Sequence, residues 1–264
     1  MKRIRLTAPL GAALALGALG AHAGGDKVAF PANYDKGVLY ATVDRHDIKQ
    51  YRELWATPAA VEAAKAGRPA PSGTVLTLVQ FKARVDDKGV PLKDAKGRFQ
   101  KGDLVAYTVM EKRTGWGGEY PADLRNGEWE YQVFGPNKAV NDKANLKACF
   151  QCHKPHAGQD YVISLASLGG KAGGGAVTAK GGPDRVAIAS FLFGPEKLVV
   201  KNNQYVTWTN TDDSPHQVTI AGEGGTRTAV MLKGQSQTLK FTAPGTYDYI
   251  CGLHPGMKGK VEVQ

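Results

Sequence analysis

Three cysteines constrain this 264-residue chain more than any other feature: Cys149 and Cys152 share one short motif, and Cys251 stands alone in another far downstream. A secreted chain built around disulfides normally carries an even number of cysteines. The odd count, split over two motifs rich in other donor side chains, points instead to cofactors as the partners of all three sulfurs.

The basic start Met1-Lys-Arg-Ile-Arg5, the Ala/Leu/Gly run to about Gly20 and the small-x-small pattern Ala21-His22-Ala23 predict a secretory signal peptide over residues 1–23, hence a periplasmic protein. The apolar run falls short of the roughly 20 residues that span a bilayer. No later stretch reaches that length, so no membrane span is expected after cleavage. Loss of Lys2, Arg3 and Arg5 lowers the formal charge from +10 to +7. The remaining lysines are scattered, which argues against nucleic acid and for redox partners with acidic docking surfaces.

Ser167 to Pro183 reads SLGGKAGGGAVTAKGGP, a Gly-rich linker over 167–183 without apolar periodicity, and it divides the chain into domains at 24–166 and 184–264. In the first, Thr57-Pro58 and Gly67 bracket a short helix. Strands are predicted at Thr74 to Ala83, Leu104 to Glu111 and Glu128 to Phe134, giving an α+β domain with a mainly antiparallel sheet. In the second, Val186 to Phe193, Lys197 to Val200, Tyr205 to Asn210, Gln217 to Ala221, Ser236 to Phe241, Gly245 to Ile250 and Gly259 to Val263 read as seven short strands of an all-β sandwich.

Cys149-Phe-Gln-Cys152-His153 is the C-x-x-C-H signature of covalent c-type haem. Two thiols a helical turn apart can add to the two vinyl groups of one porphyrin edge, and the adjoining imidazole then meets the iron as proximal ligand. Asn145-Leu-Lys-Ala supplies the preceding turn. His46, His156 and Met110 are candidates for the sixth position. The default expectation is a five-coordinate iron open to a small ligand such as nitric oxide.

The segments Tyr51-Arg-Glu-Leu-Trp55, Gly73-Thr-Val-Leu, Val109-Met-Glu-Lys-Arg-Thr-Gly-Trp-Gly117, Asn126-Gly-Glu-Trp-Glu130 and Gln159-Asp-Tyr-Val162 make the stretch from Asp44 to Leu165 resemble the cytochrome P-460 and beta-type cytochrome c-prime group. The resemblance implies a haem on a sheet-dominated fold, often in a homodimer. It also implies that hydroxylamine-oxidising members place a haem-linked lysine and a distal carboxylate where this chain has Leu78 and Thr108. Neither residue can serve, and the general-base step of such an oxidation has no owner; Lys82 and Glu111 are the alternatives if the alignment slips across Val85 to Gly97.

Cys251-Gly-Leu-His254-Pro-Gly-Met257 gathers a thiolate, an imidazole and a thioether in one loop, and His216 follows another strand end. A His₂Cys plane with a long axial methionine suits type 1 copper, because soft sulfur favours Cu(I) while imidazole serves Cu(II). Asn210, closing Val206-Thr-Trp-Thr-Asn210, is placed to hydrogen-bond a ligand loop. With Tyr247-Asp-Tyr-Ile250 leading in, Val186 to Gln264 is similar to the cupredoxins, amicyanin in particular, which implies a Greek-key topology. Electron transfer through haem and copper is therefore the expected function. The alternatives are an oxidoreductase acting on hydroxylamine or nitric oxide at the haem, with copper as the electron outlet, and a nitric oxide binder.

Overall fold

The computed structural model describes residues 27–170, 182–221 and 225–264. The expected signal peptide and most of the Gly-rich stretch lie outside the described residues. Among those residues, no helix is long and apolar enough to cross a membrane.

The first domain runs β1 (Val38–Arg45), β2 (Gln50–Ala56), α1 (Pro58–Lys65), β3 (Thr74–Ala83), β4 (Lys101–Lys112), β5 (Trp129–Phe134), α2 (Leu146–His153) and α3 (Leu165–Leu168). Its strands form an antiparallel meander in sequence order. The sequence reading misses β1 and β2, because nearly every residue in them is half-buried; without one apolar and one solvated face, the two-residue alternation that marks a strand is lost.

One face of this sheet buries Val79, Tyr107, Val109 and Phe134 under Phe30 and Tyr34 of the preceding segment. The other face presents Leu76, Met110, Trp129 and Tyr131 to α1, Phe150 of α2 and Leu168 of α3. Helix α3 extends into the stretch read as linker from Ser167. Leu168 is 1% exposed, and burying a leucine side chain is worth about 1.5–3 kcal/mol, enough to hold this turn on the first domain despite the glycines behind it.

The second domain contains β6 (Arg185–Ala189), β7 (Leu192–Gly194), β8 (Lys197–Val200), β9 (Tyr205–Asn210), β10 (Val218–Ile220), β11 (Ser236–Lys240), β12 (Gly245–Cys251) and β13 (Lys258–Val263). Two four-stranded sheets, β10-β12-β13-β8 and β11-β9-β6-β7, pack face to face. Alternation along β9 buries Val206, Trp208 and Asn210, and Trp208 meets Tyr249 of the opposite sheet edge-on. This is the all-β sandwich expected.

The strand read over Val186 to Phe193 is instead a hairpin, β6 and β7, turning at Ser190 and Phe191. Both residues have positive φ, +52° and +58°, a conformation that hairpin turns require and that side chains other than Gly and Asn seldom adopt. Asp212 compensates: its carboxylate accepts from Ser190 N at 2.6 Å and from Phe191 N at 2.9 Å. That stabilisation comes from a distant residue, so a local reading cannot see the turn.

Candidate functional site

Cys251 ends β12, Met257 immediately precedes β13, and the tight turn between them carries His254. The turn closes on itself: His254 N donates to Cys251 O, Met257 N to His254 O, and Cys251 N to Met257 O. Gly252 packs closely here, since a Cβ would stand 2.6 Å from Gln217 Oε1 and 2.8 Å from Thr219 Oγ1, so a larger residue would have to displace these side chains. His216 reaches the same place from the loop after β9 and is locked by two backbone hydrogen bonds with Met231.

The result is a cluster of three donor atoms. Cys251 Sγ lies 3.6 Å from His216 Nδ1 and 3.6 Å from His254 Nδ1, and the two imidazole nitrogens are 3.3 Å apart; all three fall within 4.8 Å of one another. His216 and Cys251 are fully buried, and Met257 is 1% exposed beside them. Burial alone would raise the Cys251 thiol, but hydrogen bonding to His216, His254 and Gln217 N brings it down to about 5. A buried, ionised sulfur facing two imidazole nitrogens is a donor set for a soft cation.

The surroundings fix the donors. Asn210 donates to Ser214 O and Met231 O, tying β9 to the His216 loop as the sequence suggests. The sequence reading misses Asp212. Its Oδ2 lies 3.0 Å from His216 Nε2, and since a carboxylate only accepts, Nε2 carries a proton and the ring is held with Nδ1 towards Cys251. An acid four residues before a candidate ligand histidine was the available signal. Phe191 was also missed; its ring stands edge-on to both imidazoles, at centroid distances of 5.3 Å to His216 and 4.9 Å to His254.

In the first domain, Cys149, Cys152 and His153 lie on α2 and face a cavity of about 810 Å³. Leu78 and Thr108 are cross-strand partners in β3 and β4 and line the same cavity with Leu54, Leu76 and Met110. Thr108 Oγ1 accepts from Gln80 Nε2 at 2.9 Å. His153 Nδ1 lies 2.7 Å from Tyr161 O; a carbonyl only accepts, so Nδ1 is the protonated nitrogen and Nε2 is left for a metal. Burial pushes this imidazole down to about 4, so it is neutral at neutral pH. The volume, the apolar sheet wall, two unpaired thiols and a neutral imidazole together fit a haem.

Of the other residues considered from sequence, His46 and Met110 line the cavity, and His46 sits on a turn stacked against Phe99. His156 is buried away from the cavity lining, and neither ring nitrogen has a hydrogen-bond partner among the described residues. Lys82 is exposed, and Glu111 is buried outside the lining and paired with Arg113.

The family model described as Cytochrome P460 matches residues 31–164, just over half of the chain. The chain belongs to the cytochrome P460 family, with a cupredoxin joined behind it. That second part, residues 184–264, matches the copper binding proteins of the plastocyanin/azurin family. Amicyanin-alpha of Methylorubrum extorquens is 44% identical over 90 residues, covering 33% of this chain and 76% of that protein. Amicyanin of Paracoccus denitrificans is 41% identical over 83 residues, covering 30% and 63%. A solved reduced-state mutant of amicyanin aligns at 40% identity and a TM-score of 0.30, over 31% of this chain and 83% of that one. A P460 domain and a type 1 copper domain in one chain make this a haem and copper redox protein.

Proposed function

We propose that the protein is an exported, periplasmic electron carrier with a c-type haem in its first domain and type 1 copper in its second. The convergence of His216 Nδ1, Cys251 Sγ and His254 Nδ1 within 4.8 Å carries the reading, and Met257, buried beside them, would complete the set that holds copper. In the first domain, Cys149 and Cys152 would hold the haem through thioether bonds, and His153 Nε2 would be offered to its iron. Both metals, when bound, supply one-electron redox chemistry between neighbouring oxidation states. The chain's own part is to keep the geometry constant: Asp212 orients His216, Phe191 packs against both imidazoles, and Tyr161 O sets the tautomer of His153. The basic mature chain suits acidic redox partners.

Metal and haem analysis of the purified protein, with visible spectra in both oxidation states, tests this. One copper with intense blue absorbance and one haem that resists acid extraction are expected. Colourless protein, or thiols linked to one another, would refute it.

A second reading, binding of nitric oxide at the haem, rests on the cavity wall. Leu78 and Thr108 offer neither the amine nor the carboxylate that hydroxylamine oxidation uses, while Leu54, Leu76 and Met110 make an apolar surface suited to a small neutral gas. Titration with nitric oxide should give a stable nitrosyl spectrum, and hydroxylamine should give no turnover.

A further inference from the structure

The end of the sandwich that carries the copper donors lies against the first domain. Gly256, between His254 and Met257, meets the turn after β1 so closely that a Cβ would stand 2.7 Å from Asp47 O. Val43 of β1 packs on the hydrophobic core of the sandwich. Ser167 Oγ, on α3, donates to Asp213 Oδ2 at 3.0 Å. Three segments of the first domain, β1, the turn after it and α3, thus touch the sandwich at its core, at the Cys251–Met257 turn and at the loop before His216.

At the centre of this contact, the Arg45 guanidinium lies 3.9 Å from the centroid of the Phe191 ring. Asp47 fixes it there by accepting from Arg45 Nε at 2.8 Å and from a terminal guanidinium nitrogen at 2.6 Å. A cation held over an aromatic ring at this distance is a directional contact. The other edges of the same ring meet His216 and His254. Arg45 also lines the 810 Å³ cavity, whose walls come from both domains: Cys149, Cys152 and His153 on one side, Phe191, Asp212 and His254 on the other.

We infer that the first domain is the copper domain's redox partner within the same chain, and that the Arg45–Phe191 stack is the contact joining the haem cavity to the copper-binding loops. The inference deepens the function proposed above and rests on both centres being loaded. With both groups bound, the exchange would pass one electron from iron(II) to Cu(II), leaving iron(III) and Cu(I), with no bond made or broken and no proton moved. Free carriers meet their partners by diffusion, whereas here the partner surface is held in place.

The test uses the full chain with haem and copper bound. A photoexcited ruthenium complex injects one electron, and its redistribution between the haem and blue absorbances is followed over a range of protein concentrations. A first-order phase independent of concentration is expected, several-fold slower in Phe191→Leu and in Arg45→Gln. Arg45→Gln leaves every metal donor in place, so it decides the matter if Phe191→Leu disturbs the blue band. Pulsed electron paramagnetic resonance of the fully oxidised protein should give one narrow iron-to-copper distance distribution. Redistribution whose rate scales with protein concentration, a broad distance distribution, or an unchanged rate in Arg45→Gln would overturn the inference while leaving the carrier function standing. Protein that lacks one of the two centres would overturn both.

Discussion

At the cavity, burial pushes the Cys149 thiol up to about 11 and raises Cys152 as well, the latter in spite of Arg45 and Arg52 nearby. At the tip of the sandwich, Cys251 is more deeply buried, yet its thiol is brought down to about 5 by the imidazoles and the amide that face it. The histidines diverge too: burial holds His153 down, whereas His216 is raised against its burial by Asp212 and Cys251. One region is thus a shaped, largely apolar container with neutral donors, suited to thiols that add to a vinyl group. The other is a prearranged polar cluster, suited to a sulfur that ligates as a thiolate. Residues of the same type serve either chemistry, and the groups around them decide which.

The sharpest way to break this contrast is Cys251→Ala. It should abolish the blue absorbance entirely and leave the haem spectrum intact, and loss of both would show that the regions are not separable. Next in size is the pH dependence of the copper-free protein. Cys251 has a folded pKa of about 5 against an ordinary 9.0, so the unfolded chain binds more protons between those values. The stability contributed by the thiolate is fully present above pH 9 and is lost as pH falls through 5. Thermal melts should show the second domain's Tm declining over that window; a flat profile would mean that the sulfur is not ionised.

Leu168→Ala probes the edge of the first region. As a core residue it should cost about 2–5 kcal/mol in the first domain, measured by denaturant unfolding, whereas a linker residue would change stability by no more than about 0.5 kcal/mol. The smallest effect is expected for Asp212→Asn, which keeps the shape but weakens the acceptor on His216 Nε2. Copper affinity should fall about 10–100-fold, read by competition with a chelator, with the haem unaffected.

Both donor sets were legible in the sequence because each is compressed into a short motif: C-x-x-C-H, and C-x-x-H-x-x-M at the end of a strand. The division into an antiparallel α+β domain and an all-β sandwich was legible for a related reason, since alternation along strands such as β9 is written directly in residue order. Strands β1 and β2 were not, because their half-burial on both faces erases that alternation. The hairpin at Ser190 and Phe191 was hidden because its left-handed turn is held by Asp212, more than twenty residues away.

The sequence by itself determined which side chains are available to hold a haem and a copper, because those donors are neighbours in the chain or lie at strand ends whose pattern is local. Only the tertiary structure decided what surrounds them: Asp212 on His216, Tyr161 O on His153, Leu78 beside Thr108, and Arg45 laid over Phe191. Leu78 and Thr108, and Arg45 and Phe191, are distant in sequence, and even the short-range pairs, Asp212 with His216 and Tyr161 with His153, depend on burial and hydrogen-bond geometry that exist only once the chain has folded.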